Sequence, residues 1–324
     1  MSRMNALDQL REMTTVVADT GNIEAIKKYK PQDATTNPSL ILKAAEDPAY
    51  MHLVDEAVAY GSQRGKNDEE QLAIALTKVS VNFGVEILKY IPGRVSTEVD
   101  ARTSFHPHAA YSHAIMLVEF YNEVGIDNKR ILIKLASTWE GIRAARQLEE
   151  EGSHCNMTLS FDAVQGIASA QAGATLISPF VGRITDWYKK EMKKDSFPVD
   201  DDPGVLAVRR VYNLLKQRDY PTQVMGASFR SFDQILALAG CDLLTISPEY
   251  LQELGNREGY VDRVLSPERA RASGSGQVLE VTENMFRWQL NENKAATELL
   301  ADGIRRFAVD TVNLENLLRE KLAG

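Results

Sequence analysis

The chain has 324 residues, 44% hydrophobic and 25% charged, which is the make-up of a folded globular protein and excludes a disordered one. Lys and Arg number 37 against 45 Asp and Glu, a net charge of -8. With no basic tract, the chain has no general electrostatic hold on nucleic acid or anionic lipid, and any phosphate site has to be local, built from a few arginines. No apolar run approaches the ~20 residues of a membrane span. The opening MSRMNALDQLREM carries charges where a signal peptide needs an apolar stretch. The expectation is a soluble cytoplasmic protein.

Along the chain, short apolar or β-branched runs alternate with longer amphipathic stretches. The runs are 16–19, 33–36, 95–100, 131–136, 155–160, 175–180, 223–228 and 243–248. Helical patterns fall at 48–60, 108–124, 139–151, 163–172, 205–218 and 232–239, and Gly125, Gly152, Gly173 and Gly240 close four of them. Eight strands alternating with helices require parallel pairing. No G-x-G-x-x-G follows the first strand, which favours a closed (β/α)8 TIM barrel over an open doubly wound sheet. Two stretches break the rhythm: the charged excursion 189–203, and 266–277, read as a loop. Helices from about 283 to 324 follow, the last with an apolar stripe suited to packing across the barrel or onto a second subunit. The whole of 1–324 reads as one barrel domain.

Barrel active sites lie at the C-terminal rim of the strands. In ILIKLA, alternation sends Ile131, Ile133 and Leu135 outward and Leu132, Lys134 and Ala136 inward. A lysine inside a barrel is either neutralised by a carboxylate or used as a Schiff-base nucleophile. Desolvation frees the amine and nearby carboxylates oppose it, so the net shift stays open. Asp19, ending VVAD, and Glu98, in VSTEVD, share the inward parity. One carboxylate can remove a substrate hydroxyl proton during carbon–carbon cleavage while the other moves protons as a carbinolamine loses water. Thr35, Thr36, Asn37, Asn156, Thr158, Ser178 and Ser228 put small polar groups at other strand ends, a cup suited to a polyhydroxylated substrate. Arg183 and Arg230, just past the sixth and seventh strands, suit a phosphate.

Histidine offers a rival. His106, His108 and His113 lie close in sequence, and H-x-H occurs in metal-dependent barrel hydrolases. Here, however, Pro107 intervenes and the segment opens a helix, which argues against a metal site. The GSG at 274–276 lacks a preceding strand and a third glycine, so it is no nucleotide motif. Cys155 and Cys241 form no CxxC pair and read as buried, reduced thiols. A third possibility is a non-catalytic sugar-phosphate binding barrel in which Lys134 is only an ion-pair partner.

Several longer stretches resemble the transaldolase family of the pentose phosphate pathway: VVADTG (16–21), DATTNPSL (33–40), GRVSTEVDAR (93–102), ILIKLASTWEGI (131–142), SPFVGRITDWY (178–188) and MGASFR (225–230). The resemblance implies a (β/α)8 barrel of the class I aldolase group, with no metal or organic cofactor, acting on phosphorylated sugars and commonly a homodimer. It further implies Lys134 as the Schiff-base lysine and Asp19 as the acid/base at the cleaved bond. Glu98 is implied as a proton handler working through a water held by Thr158. Asn37, Asn156 and Ser178 would hold the dihydroxyacetone moiety, and Arg183, Ser228 and Arg230 the phosphate. Phe180 stands where the related fructose 6-phosphate aldolases tend to carry tyrosine, which favours a transferase. After Thr158 the family usually reads Leu-Leu-Phe-Ser-Phe-Ala-Gln, whereas this chain has Leu159, Ser160, Phe161, Asp162, Ala163, Val164 and Gln165. Asp162 either faces the pocket, where its charge would weaken phosphate binding, or caps the next helix; the cap is favoured.

Overall fold

The computed structural model describes residues 4–274 and 280–323. Eight parallel strands close into a barrel in sequential order: β1 (Thr15–Asp19), β2 (Asp33–Thr35), β3 (Val95–Glu98), β4 (Ile131–Ala136), β5 (Cys155–Ser160), β6 (Leu176–Pro179), β7 (Gln223–Gly226) and β8 (Leu243–Ile246). All eight runs expected from the sequence are strands, and the fold is the expected (β/α)8 barrel. Gly125, Gly152, Gly173 and Gly240 each have φ between 79° and 96°, the left-handed value that ends a helix most easily without a Cβ.

Alternation sorts the strand side chains as read from ILIKLA. Ile131, Ile133 and Leu135 join the core between sheet and helices. Leu132 instead packs inside the barrel with Val17, Leu176, Met225 and Leu243. This apolar plug fills the lower barrel, so the polar inward residues sit above it, toward the C-terminal rim.

Three expectations need correction. Residues 266–277 are not one loop: Ser266 caps a short helix, Pro267–Ala272, by accepting from the Arg269 amide. Of the GSG, residues 275 and 276 lie outside the described residues. The excursion at 189–203 begins later than expected, because the helix Val181–Met192 runs into it and Pro203 already opens the next helix. The helix Asp68–Leu88 is, by length and composition, apolar enough to cross a membrane, contrary to the expectation that no run approaches that length. Much of it is buried within the molecule, against the helix Met51–Arg64, the helix Pro107–Glu123 and β3.

The terminal helix Lys294–Ala323 lies over the rim. Leu300, Ile304 and Phe307 pack with Ala136, Leu159, Phe161, Phe180 and Ala227 from the strand ends. Arg102 bridges to Glu315, and Ser39 donates to Asp310. Of the two placements considered for the apolar stripe, the structure shows packing across the barrel.

Candidate active site

Register brings the charged residues together. Glu98 pairs with Lys134, Lys134 with Asn156, Ala136 with Thr158, and Asp19 with Thr35. Lys134 is 4% exposed. Its Nζ lies 3.2 Å from Glu98 Oε2 and donates to the Thr36 carbonyl at 3.1 Å. Burial pushes the Glu98 carboxyl above its ordinary value, with the Lys134 charge pulling the other way. The same two influences act in the same order on Asp19, helped downward by the Thr35 hydroxyl, which donates to Asp19 Oδ1 at 3.1 Å. Two carboxyls with raised proton affinity thus face one amine, a set able to exchange protons with a bound molecule.

Around them the cup is pre-oriented. Ser178 Oγ donates to Asn156 Oδ1 at 2.6 Å, and Asn156 Nδ2 donates to Ser96 Oγ at 3.0 Å. Thr35 also bonds Thr245 across the barrel. Thr158 Oγ1 is buried with no hydrogen-bond partner among the described residues. Asn37 caps the helix Pro38–Ala45 through Oδ1, which leaves its amide nitrogen as the group it can offer a ligand. Ser96 shares the inward parity read for Glu98; Thr245 was not singled out in the sequence reading, although the same parity on its strand places it inward.

On the other side stand the arginines. Arg183 has its guanidinium 5.0 Å from the Phe180 ring and 5.6 Å from that of Phe307, and Nη1 is buried without a hydrogen-bond partner among the described residues. Its pKa is lowered, first by burial and then by Arg306 and Arg230. Such a cluster of like charges favours an anion between them. Arg230 is partly committed: Nε donates to Asp186 at 2.9 Å, while Nη1 lies 3.3 Å from Ser228 Oγ. Ser228 itself holds a left-handed φ of 61° just beyond β7. Arg306 was missed because the sequence reading treated its segment only as an apolar stripe. Gly303 of the same helix explains how close that helix comes: a Cβ there would meet Leu159 Cδ2 at 2.7 Å and Arg183 Nη1 at 3.2 Å.

Asp162 does not face the pocket. Oδ1 accepts from the Val164 amide at 2.7 Å as part of a capping box with Gln165, and Oδ2 accepts from Asn293 at 2.7 Å. The histidines take separate structural roles, although the rings of His106 and His108 stand 6.4 Å apart. His106 caps the helix Pro107–Glu123, while His113 is held between the Asp100 amide and Thr77. Among the described residues no group of three or more His, Cys, Asp or Glu is placed to hold a metal ion. Cys155 and Cys241 are buried and unpaired, with burial pushing both thiols up, that of Cys241 to about 12.

A closed parallel barrel with a preorganised, charged constellation at the C-terminal rim defines a (β/α)8-barrel enzyme. A family model described as Transaldolase/Fructose-6-phosphate aldolase matches residues 16–318. Proteins similar to this chain include a transaldolase of Bos taurus, 56% identical over 98% of this chain and 94% of the relative, and one of Homo sapiens at the same identity and coverage. A transaldolase of Marinobacter nauticus is 54% identical over 97% of both chains. The chain belongs to the transaldolase/fructose-6-phosphate aldolase family and is an enzyme of the transaldolase type, a transferase.

Proposed function

We propose that the chain transfers a dihydroxyacetone unit from a ketose phosphate (sedoheptulose 7-phosphate or fructose 6-phosphate) to an aldose phosphate (glyceraldehyde 3-phosphate or erythrose 4-phosphate) through a Schiff base on Lys134. The observation that carries this reading is the pair of Lys134 Nζ and Glu98 at 3.2 Å, both side chains all but buried inside the barrel rim. The amine, once it has passed a proton to a neighbouring carboxylate, attacks the C2 carbonyl of the ketose. Glu98 returns a proton so that the carbinolamine oxygen leaves as water, and the unpartnered Thr158 hydroxyl is free to hold that water. The protonated imine then draws electrons. Asp19 takes the C4 hydroxyl proton, the C3–C4 bond breaks, and its electron pair passes into the imine to give an enamine on Lys134. An aldose phosphate departs. The second aldose phosphate accepts the enamine carbon by the same steps reversed, and hydrolysis frees the lysine.

Thr35, Asn37, Asn156 and Ser178 hold the dihydroxyacetone hydroxyls in this scheme. Arg183, Ser228 and Arg230 bind the phosphate, supported by the unpartnered Arg183 Nη1. Phe180 covers the enamine without a hydroxyl that could deliver water, which favours transfer over release. No metal or organic cofactor enters. The domain is single, the molecule acts as a homodimer, and its free, buried thiols suit a cytoplasmic setting.

Incubation with fructose 6-phosphate, borohydride reduction and peptide mass spectrometry test the scheme. A three-carbon dihydroxyacetone adduct is expected on Lys134, and none in Lys134→Ala. An unmodified Lys134 beside saturable sugar-phosphate binding would overturn it in favour of a binding barrel.

A further inference from the structure

Beside the barrel mouth, a cleft of about 370 Å3 lies against the C-terminal ends of β5 and β6 and the helices Val181–Met192 and Pro203–Lys216. It exists because Ser160 and Ala163, both in its wall, are small. Phe161, Ile184 and Val211 give it an apolar lining. Roughly 150 Å3 is enough to hold benzene, so this cleft has room for a two-ring molecule while remaining too small for a segment of folded protein.

Two polar features in the wall have unused bonding capacity. Ser160 stands in register with Pro179, another lining residue. It is 1% exposed, and its Oγ has no hydrogen-bond partner among the described residues. A buried hydroxyl left in that state is costly, and a ligand group would relieve it. Arg210 lines the cleft from the exposed side and has no ion pair or hydrogen bond among the described residues. The carboxylate in the same wall, Asp162, is by contrast hydrogen-bonded at both oxygens, Oδ1 by the Val164 amide and Oδ2 by Asn293. Arg210 is therefore the charged group of this wall without a partner among the described residues, and it meets an apolar slot with a hydroxyl buried in its wall.

We propose that this cleft is a second small-molecule site, one that takes a flat aromatic carboxylate bearing a polar group at its far end. The rings lie against Phe161 and Ile184, the carboxylate meets Arg210, and the distal group bonds Ser160. The site is separate from the lysine chemistry, although Phe161 meets Phe180 edge-on at 5.7 Å between ring centres, so the two sites share a wall.

The test uses the full chain and 6-hydroxy-2-naphthoic acid, followed by calorimetry. Saturable binding to one site per chain is expected. Arg210→Ala, a surface change, should weaken it about tenfold or more, as loss of a charge-assisted contact does. Ala163→Phe should abolish it by filling the cleft, with its unfolding transition compared with wild type to show that it folds. The neutral 6-hydroxy-2-naphthamide should bind wild type and Arg210→Ala alike. Absence of saturable binding overturns the proposal. So does binding that Arg210→Ala leaves unchanged, a readout that stands even if Ala163→Phe fails to fold. Displacement by fructose 6-phosphate with neither variant having an effect would assign the compound to the barrel mouth and overturn it as well.

Discussion

In the proposed scheme Asp19 acts at the cleaved bond, while its burial costs stability, and one substitution separates the two. Burial raises its carboxyl above the ordinary value more than Lys134 and Thr35 lower it. A carboxyl raised on folding binds its proton more tightly in the folded state. Stability therefore falls as pH climbs from the unfolded value through the folded one, and the loss is complete above both. Below about pH 4 both states are protonated and the penalty vanishes. Asp19→Asn should accordingly unfold at a higher temperature than wild type near neutral pH, with the gap closing toward pH ~4 in calorimetric scans. A variant less stable than wild type at neutral pH would contradict desolvation as the dominant influence. Activity should drop about 10²- to 10⁴-fold, as expected when a general base is lost. Borohydride trapping should then yield the whole six-carbon sugar on Lys134, because imine formation precedes the step that needs Asp19. At this scale the sequence was most informative for inward-facing residues, since strand parity alone brought Lys134, Glu98 and Asp19 to one rim. Parity placed Ser96 inward too, but the bonds that Ser96 and Thr245 make to other strands were not legible. The sequence was blind too to Arg306, which reaches the arginine cluster only because a distant helix folds back over the mouth.

Among the elements, the start of the helix Ala163–Gln171 shows how a local departure from the family pattern is absorbed. Asp162 caps that helix and also ties it to Asn293, at the entrance of the terminal helix. Asp162→Ala loses the cap, worth about 0.5–2 kcal/mol, and a hydrogen bond of about 1 kcal/mol. A loss of about 1–3 kcal/mol is expected in urea unfolding. Asp162→Asn, which removes the charge but keeps a capping oxygen, should leave KM for sugar phosphates unchanged. A lower KM would place the carboxylate's charge within reach of the phosphate after all. Strands and glycine-closed helices were legible because alternation and left-handed turns leave marks in sequence. The helix Asp68–Leu88 left no clear stripe, since much of its circumference is buried, with Leu72, Ala75, Val79, Phe83 and Ile87 among twelve buried residues. The helix Pro267–Ala272 was hidden for the opposite reason: it is short, and its Ser-Pro start and following Gly look like turn chemistry.

For the molecule as a whole, the question is whether the terminal helix is an appendage or part of the barrel's single cooperative unit. It buries Leu300, Ile304, Phe307, Leu314 and Leu318. At about 1.5–3 kcal/mol for each such side chain, the helix accounts for burial on the order of 10 kcal/mol. The net stability of a folded domain is only about 5–15 kcal/mol. Removing the helix would therefore consume most or all of the margin, besides stripping Leu159, Phe161 and Phe180 of their cover at the strand ends. Truncation after Asn293 should give a chain with no cooperative thermal transition and with exposed apolar surface that binds a hydrophobic dye. The intact chain should melt in one transition, with near-UV circular dichroism, which reports aromatic packing, and far-UV circular dichroism, which reports helix content, changing together. A truncated chain that still melts cooperatively at close to the wild-type temperature would make the terminal helix a separable lid, and the single-domain reading would fail with it.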